Sequence, residues 1–307
     1  MLFKNLAKFF IERLFECYFL LILPYMKTNY HTHTVFCDGM FEAVCFADEA
    51  VRQEMTSLGF SAHAPVNFPT YWTMNPARIG EYYDVIHRLK REYAGRLDIY
   101  CGLEADYFPD IQPEIQTLYS GYSWDYIIGS VHFIGVYPNG RRWCFDGPHE
   151  EFLEGWREIT DSDPLLPIRQ YFEITREMVR AMKPDVVGHL DKIKMQYRPD
   201  CMVPDTHPFF RKQLMATLEE IAATDCIVEV STRGIFNGQT GDYFPGRRAI
   251  AEMKKMGIPV TISSDAHSPA EITFGFDKAE TMLRETGYQT VMMLKDGKWE
   301  ERALSGL

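Results

Sequence analysis

Short apolar runs alternate with amphipathic helical stretches along most of the chain. The predicted strands are Asn29–His33, Leu58–His63, Asp98–Glu104, Tyr126–His132, Asp185–His189, Ile227–Ser231 and Pro259–Ser264. The predicted helices are Glu42–Glu54, Ala77–Tyr93, His149–Ile159, Ile168–Met182, Phe209–Ala223 and Arg247–Met256. Strand-then-helix units without a break in composition predict an α/β fold, a single parallel barrel rather than two domains. Near the end of the chain, Asp296-Gly297 predicts the turn of a hairpin.

Residues 1–26 do not follow this alternation. Basic residues precede the apolar run Tyr18–Leu23, as in a signal peptide, but Glu12 and Glu16 interrupt the segment and no small-residue cleavage site follows. The run is also shorter than the roughly 20 apolar residues that a membrane span needs. Three interpretations stay open: an amphipathic docking helix, a weak export signal, or an extension read from a start codon upstream of the true start at Met26. We favour the last.

Composition and charge limit the classes of partner. The chain has 307 residues, 46% hydrophobic and 24% charged, which is typical of a folded globular protein. Its 32 basic and 43 acidic residues give a net charge of −11, which argues against a surface that coats nucleic acid. The seven cysteines are scattered without a CxxC pair, so they predict reduced thiols, no disulfide framework and a cytoplasmic protein. No stable membrane insertion is expected.

Histidines and acids collect where the predicted strands end. The residues in question are His31, His33, His63, Glu104, His132 and His189 at strand ends, and Asp38, Asp265 and His267 just after them. Side chains two apart in a strand share a face, so His31 and His33 point the same way. Parallel-barrel enzymes carry their chemistry at the carboxyl ends of the strands, which is where all nine groups fall.

So many ionisable groups at one barrel mouth would be costly without cations to neutralise them. Imidazole and carboxylate together suit zinc, manganese or iron, and a carboxylate can bridge two ions. Several such ions favour hydrolysis of a phosphate ester, because they activate water and hold phosphoryl oxygens. The three remaining histidines, His87, His149 and His207, are expected to be solvated surface residues.

Cations near the predicted mouth are candidates for contact with a phosphate. Arg233 lies in the loop after the sixth strand, where its guanidinium would clamp phosphate. Lys192 and Lys194 follow His189 closely enough to reach the same region. We assign the phosphate contacts to Arg233 and Lys194. An acidic side chain such as Asp106 or Asp242 is a candidate for holding an amine on the substrate.

Six motifs, in order along the chain, resemble those of the PHP superfamily (polymerase and histidinol phosphatase), above all its histidinol-phosphatase branch. They are Asn29-Tyr30-His31-Thr32-His33-Thr34 with Phe36-Cys37-Asp38-Gly39, Ser61-Ala62-His63-Ala64-Pro65, Gly102-Leu103-Glu104-Ala105-Asp106, Gly129-Ser130-Val131-His132, Gly188-His189-Leu190-Asp191 and Ser264-Asp265-Ala266-His267. The resemblance runs from about Met26 to the carboxyl end of the chain. It divides the chain into an extension, residues 1–26, and a catalytic barrel, residues 27–307.

The resemblance implies a distorted (β/α)7 barrel with three divalent ions of manganese, iron or zinc. One ion would be held by His31, His33, Glu104 and Asp265, a second by Asp38, His63 and His267, and a third by Glu104, His132 and His189. The implied reaction is hydrolysis of L-histidinol phosphate to L-histidinol and inorganic phosphate, a step of histidine biosynthesis. The predicted catalytic residues are Glu104, Asp265, His267 and Arg233.

Two departures from the family pattern keep alternatives open. Many members of the wider superfamily have histidine where Asp38 stands, and the harder oxygen ligand shifts the preference among metals. The stretch 231–245 matches the family only loosely, so another phosphate ester, such as a nucleotide or sugar phosphate, remains an alternative substrate. A non-catalytic module that holds metal and binds a ligand is the third hypothesis, because a fold alone does not fix a function.

Overall fold

A computed structural model of the chain describes residues 27–236 and 240–304. The strands are β1 (Thr28–Asn29), β2 (Ser57–Phe60), β3 (Asp98–Asp106), β4 (Tyr126–Ser130), β5 (Phe133–Val136), β6 (Arg142–Cys144), β7 (Val186–Val187), β8 (Ile227–Ser231), β9 (Val260–Ser263), β10 (Thr290–Lys295) and β11 (Lys298–Ala303). The helices are α1 (Ala43–Arg52), α2 (Ile79–Glu92), α3 (Gln112–Thr117), α4 (His149–Thr160), α5 (Leu166–Ala181), α6 (Pro208–Ala222), α7 (Arg233–Phe236), α8 (Arg247–Met256) and α9 (Phe276–Glu285). Each predicted strand and helix has a counterpart, and the interpretations of residues 1–26 lie outside the described residues.

Seven parallel strands form one sheet in the order β1-β2-β3-β4-β7-β8-β9. Its two edges meet just beyond the ends of β1 and β9. There the His33 amide donates to the Ala266 carbonyl at 2.8 Å, and the Ala266 amide donates to the His31 carbonyl at 3.0 Å. The predicted α/β barrel of seven strands is therefore confirmed, nearly closed, and joined at the two histidines of the first strand.

Helix α8 shows how the sequence defines a helix that covers the barrel, with an amphipathic pattern along it and a glycine after its last residue. Ala249, Ile250 and Met253 form its buried face, while the charged residues of the helix face outward. Gly257 follows with a φ of 73°, and the Ile258 amide donates to the Met253 carbonyl at 3.1 Å. Glycine adopts this left-handed conformation at little cost, so the helix ends where the sequence predicts.

Tyrosine side chains fill the interior of the barrel at the amino ends of the strands. The Tyr126 hydroxyl donates to the carbonyls of Tyr30 and Phe60. A Cβ atom at Gly59 or Gly102 would lie 2.4 or 2.5 Å from the Tyr126 side chain, so β2 and β3 carry glycine beside that ring. The predicted terminal hairpin, β10–β11, is confirmed and closes the amino end of the barrel. These contacts leave the opposite end of the barrel for the polar groups.

Some strands of the structure are shorter than the predicted ones, and some elements were not predicted. Strands β1 and β7 are two residues each, because the backbone departs from the ladder before His31 and His189. The β5–β6 hairpin and helices α3, α7 and α9 were not predicted, and they add to the barrel rather than form it. Arg233, expected in a loop after the sixth strand, begins the short helix α7. Among the described residues, no helix is long and apolar enough to cross a membrane.

The three remaining histidines lie outside the cluster, and each is partly exposed and hydrogen-bonded to a neighbouring group rather than fully solvated. His87 stacks on Tyr83 at 3.9 Å between ring centroids. His149 Nδ1 lies 2.9 Å from Gln196 Oε1, and His207 accepts from the amide of Phe209 at the start of α6. The ring nitrogens of these three histidines bond to groups nearby, so the three residues do not belong to the cluster at the barrel mouth.

Candidate metal centre

All nine residues selected from the strand ends converge at the carboxyl end of the barrel. Loops and strand ends from six strands supply them. Three groups of possible ligand atoms lie within 4.8 Å of one another: His33, Asp38, His63 and His267; His31, His33 and Asp265; and His63, Glu104 and His132. His189 joins the cluster through Glu104, whose Oε1 atom lies 2.9 Å from His189 Nε2. The nine residues are up to 236 positions apart in the sequence.

Glu104 lies at the centre of the cluster, almost fully buried on β3. Its carboxylate oxygens lie within contact distance of five imidazole nitrogens: His31 Nε2 (3.1 Å), His33 Nε2 (3.5 Å), His63 Nδ1 (2.8 Å), His132 Nε2 (3.7 Å) and His189 Nε2 (2.9 Å). The position fits a carboxylate that bridges ions.

Asp265 and Asp38 extend the cluster on either side of His33. Asp265 Oδ1 lies 3.2 Å from His33 Nε2 and 3.8 Å from His31 Nε2. Asp38 Oδ2 lies 3.1 Å from His267 Nε2, and Asp38 Oδ1 lies 3.7 Å from His63 Nε2. Asp38 is the most accessible of the three carboxylates, with 32% of its side chain exposed, so this side of the cluster opens to solvent.

His189 Nε2 is hydrogen-bonded to Glu104 and His267 Nε2 to Asp38, but several other nitrogens of the cluster lie close to a carboxylate without the geometry of a hydrogen bond. Buried ring nitrogens of five histidines have no hydrogen-bond partner: His31 Nε2, His33 Nε2, His63 Nδ1, His132 Nε2 and His189 Nδ1. Four of these nitrogens, all but His189 Nδ1, lie 2.8–3.7 Å from a Glu104 oxygen. Because buried polar atoms are nearly always paired, these four favour a bound cation as their partner. Divalent cations fit this donor set of neutral imidazole and carboxylate.

The protein fixes the orientation of several rings through the opposite nitrogen. His31 Nδ1 lies 2.6 Å from Glu229, His132 Nδ1 lies 3.1 Å from both oxygens of Asp106, and His267 Nδ1 lies 3.0 Å from the Asp265 carbonyl. Metal-binding histidines typically donate their second N–H to such acceptors, which sets the tautomer and turns the other nitrogen to the ion. The arrangement therefore prepares three Nε2 atoms for coordination.

The electrostatics of the cluster keep its acids ionised. Burial alone would raise the pKa of Glu104, but the surrounding histidines, led by His31 and His63, lower that pKa well below its usual value. Burial, with repulsion from His63 and His267, lowers the pKa of His33 to about 3. At neutral pH Glu104 is therefore an anion and His33 a neutral imidazole. The acids around them raise the pKa of His31 well above its usual value and that of His132 to about 9, so binding of a cation to these two rings would release protons.

Two ligand candidates have backbones in the left-handed region. His189 has a φ of 22° and Asp265 a φ of 52°, values that a residue with a side chain rarely adopts. The amide of His189 donates to Glu229 at 2.7 Å, and the carbonyl of Asp265 accepts from the Arg233 guanidinium at 3.0 Å. The surroundings hold both residues in these conformations, which direct their side chains into the cluster.

Supporting residues were missed by the strand-end argument. Glu229 contacts His31, Asp106 contacts His132, and Glu271 accepts from the His267 amide at 2.8 Å and from Arg233 at 3.0 Å. Glu229 had a visible signal, since it is the single charged residue inside the apolar run Ile227–Ser231. Asp106 had been a candidate for holding a substrate amine, but its oxygens orient His132 instead.

The two lysines after His189 have different surroundings. Lys192 is buried, with its ammonium 2.7 Å from Asp146 and 3.7 Å from Asp265. Lys194 donates to Asp191 at 3.0 Å and to the Tyr243 carbonyl at 2.7 Å, and neither partner belongs to the cluster. The phosphate contact by Lys194 stays a prediction, while Lys192 is the lysine beside the cluster. Arg233 also reaches the cluster, through the backbone of Asp265.

The fold and this centre define a class of metal-dependent barrel enzymes, and the chain belongs to the PHP domain family, whose model matches residues 29–233. The relatives are histidinol-phosphatases. The chain is 30% identical over 264 residues to a "Probable histidinol-phosphatase" of Deinococcus radiodurans, covering 85% of this chain and 94% of that protein. It is 26% identical over 267 residues to the histidinol-phosphatase of Bacillus subtilis, covering 82% and 97% respectively.

A solved structure has the same fold. The histidinol phosphate phosphatase of Lactococcus lactis, complexed with zinc, L-histidinol and phosphate, superposes with a TM-score of 0.70. The two chains are 22% identical, and the match covers 89% of this chain and 98% of that one. The expected family and fold are thus confirmed.

Proposed function

We propose that this protein is a metal-dependent phosphomonoesterase, a histidinol-phosphatase that converts L-histidinol phosphate and water to L-histidinol and phosphate. One observation carries the proposal: Glu104 is buried among five imidazoles, and four of them turn a nitrogen without a hydrogen-bond partner to its carboxylate. The named relatives cover nearly the whole catalytic region and are phosphatases for this substrate. The proposal assigns catalysis to residues 27–307 and treats residues 1–26 as an extension.

The proposed metal content is three divalent ions of manganese, iron or zinc. His31, His33, Glu104 and Asp265 would hold the first, Asp38, His63 and His267 the second, and Glu104, His132 and His189 the third. The clustered ligand atoms of His31, His33 and Asp265, and of Asp38, His63 and His267, support the first two sites. The contacts of Glu104 with His31, His132 and His189 support a third site with Glu104 common to two ions. Divalent ions supply Lewis acidity, since they neutralise phosphate charge and lower the pKa of water.

The chain's own cations hold the phosphate in this proposal. Lys192 lies between Asp146 and Asp265, and these carboxylates, with Glu104, outweigh burial and raise the pKa of its ammonium. Lys192 therefore keeps its proton and can pair with a phosphate oxygen at the edge of the cluster. Arg233 is held by Asp265 and Glu271, which leaves its planar group fixed beside the same edge. Fixed charges are favourable because they need no reorganisation during the reaction.

The carboxylates of Glu104 and Asp265, with His267, form the remainder of the proposed catalytic set. Glu104 and Asp265 would hold the ions as carboxylate anions. Histidines, and for Asp265 also Lys192, oppose the effect of burial and lower the pKa of each carboxyl group. The six described cysteines are free thiols, which supports a reducing compartment, so the proposal includes a cytoplasmic location.

Phosphate release from L-histidinol phosphate tests the proposal. Protein treated with a chelator should lose activity, and Mn²⁺ or Zn²⁺ should restore it, with elemental analysis giving the metal content of each sample. His33→Ala should abolish release, whereas His87→Ala, on the outer helix α2, should not. Undiminished release after complete removal of metal would overturn metal dependence. Metal-loaded protein that binds the ester without turnover would instead indicate a binding module.

A further inference from the structure

An aromatic residue borders the metal centre on the side of His63 and His132. The Trp72 ring centroid lies 4.6 Å from that of His63 and 5.3 Å from that of His132. Both histidines contact Glu104. Trp72 lies in the loop after β2 and is partly exposed, so it presents apolar surface next to the cluster without being part of the packed core.

The loop that carries Trp72 is fixed before any ligand binds. The buried Met74 donates its amide to the His63 carbonyl at 3.1 Å, and the hydroxyls of Thr70 and Thr73 are hydrogen-bonded to each other. Trp72 itself stacks on Phe133, with 5.5 Å between centroids and 17° between the rings. A surface already held in place loses little conformational freedom on binding, which favours its use in recognition.

Negative charge reaches the exposed side of this loop. Tyr71, next to Trp72, is 83% exposed, and partial desolvation, followed by the negative charge of Glu151, raises the pKa of its phenol. Asp146 also contributes to that rise, and its carboxylate lies 3.7 Å from His132. An aromatic surface with carboxylates nearby suits a flat ring that carries, or stands beside, a positive charge.

We propose that Trp72 is a specificity residue for the leaving group, with its indole in contact with the flat ring of the substrate while the phosphate occupies the metal centre. The inference rests on the proposed phosphatase activity and adds the contact that distinguishes a ring-bearing ester from a plain one. L-Histidinol phosphate carries an imidazole and an ammonium on the short chain that bears its phosphate. The imidazole contacts Trp72, and the negative charge of Glu151 near Tyr71 favours the ammonium, since Asp146 is already paired with Lys192.

Steady-state kinetics of Trp72→Ala and Trp72→Phe on two esters test this inference. The esters are L-histidinol phosphate and 2-aminoethyl phosphate, which has the ammonium and the phosphate but no ring. Trp72→Ala should raise KM for L-histidinol phosphate about 10- to 100-fold, the range of a lost apolar contact in a specificity pocket, with a smaller change in kcat. The same variant should leave kcat/KM for 2-aminoethyl phosphate within about twofold. Trp72→Phe should retain most of the preference because it keeps an aromatic face.

Trp156→Ala is the matched control, since Trp156 is a partly buried tryptophan on α4 whose indole N–H donates to the Asp163 carbonyl. It should not change the ratio of kcat/KM between the two esters. Metal content should be equal in Trp72→Ala and the unmodified protein. Equal losses on both esters would overturn the inference, because Trp72 would then act only through His63 and His132. An unchanged KM on both esters would overturn it as well.

Failure of the proposed substrate is distinguishable from failure of this inference. If the unmodified protein does not hydrolyse L-histidinol phosphate, the proposed function fails, and the comparison moves to 2-phenylethyl phosphate against ethyl phosphate. A preference for the ring-bearing ester that Trp72→Ala removes supports the role of Trp72. A preference that survives Trp72→Ala, or no preference in the unmodified protein, overturns it.

Discussion

The imidazoles of the metal centre each have two nitrogens with different surroundings. For His31, one nitrogen is among the orphaned atoms that face Glu104, while the other lies 2.6 Å from the buried carboxylate of Glu229. Glu229 also accepts from the His189 amide and from Ser263, so a single acid supports two ligand candidates. The orientation of the proposed ligands, and with it the affinity for metal, therefore depends on these outer contacts.

Glu229→Gln should weaken metal binding without removing a proposed ligand. Neutral glutamine is a poorer acceptor for the His31 N–H, so metal affinity should fall by roughly 10- to 100-fold, the usual effect of losing such a partner. Metal titration of the chelated protein, followed through recovery of phosphate release, measures the change. Glu220→Gln is the control, because Glu220 pairs with Arg180 on the surface. Equal affinities in the two variants would contradict the supporting role of Glu229.

Lys192 and Lys194 differ in their partners, so methionine substitutions should separate their roles. Lys192→Met removes the ammonium beside Asp265, and kcat/KM should fall by about 10²-fold or more, as for other fixed charges that act on a reacting group. Lys194→Met leaves the buried Asp191 without its counterion, so its main effect should be a lower free energy of unfolding, by roughly 3–5 kcal/mol. Kinetics and urea denaturation of both variants measure this. The opposite pattern would return the phosphate contact to Lys194.

At the scale of elements, the short strands β1 and β7 position proposed ligands, because strand pairing ends before the residues that carry them. The regular part of β1 ends at Asn29 and that of β7 at Val187, and the following residues turn their side chains into the cluster. The tightly packed part of the barrel lies nearer the amino ends of the strands, where Tyr126 packs against Gly59 and Gly102. Gly102 is two residues before Glu104 on β3, so the packed interior and the metal centre share one strand.

Gly102→Ala should show how closely that strand is packed. The added methyl would lie 2.5 Å from the Tyr126 ring, and either the ring or β3 must move. Overpacking of this kind costs about 1–3 kcal/mol of stability. Gly121→Ala is the matched control, since no atom lies within 4 Å of its added Cβ, and its effect should stay within about 0.5 kcal/mol. Equal unfolding midpoints in denaturant would contradict this account.

At the scale of the whole molecule, the metal centre joins strands from both edges of the sheet. His31 and His33 follow the first strand, Asp265 and His267 follow the last, and the backbone bonds that join those edges lie between them. Ions bound to these four side chains would cross-link the seam of the barrel. Metal binding is therefore expected to stabilise the fold as well as to support the reaction.

Removal of metal should lower the thermal midpoint of unfolding. An ion that binds only the folded protein stabilises it by about 2.7 kcal/mol when its free concentration is 100 times Kd. Differential scanning fluorimetry of chelated protein, with and without added Mn²⁺ or Zn²⁺, measures the shift. His33→Ala should show a smaller shift than the unmodified protein. A midpoint that does not respond to any divalent ion would contradict a metal centre at the seam.

The sequence by itself determined the α/β barrel and the region of its chemistry. Alternating strands and helices have only one common closed arrangement, and polar residues at strand ends must meet at one end of it. Glu104 and Asp265 were selected in this way although they are 161 positions apart. The sequence also predicted the terminal hairpin, because Asp-Gly fits the positive φ values that the turn requires, 49° and 74°.

Tertiary structure alone decided which neighbours complete the centre. Glu229 meets His31 across 198 positions, and no local pattern encodes that contact. Lys192 and Lys194 have nearly the same place in the sequence, yet the short turn after β7 directs one ammonium to Asp265 and the other to Asp191. Periodicity specifies which element a residue belongs to. The direction of its side chain and the identity of its partners depend on packing between distant segments.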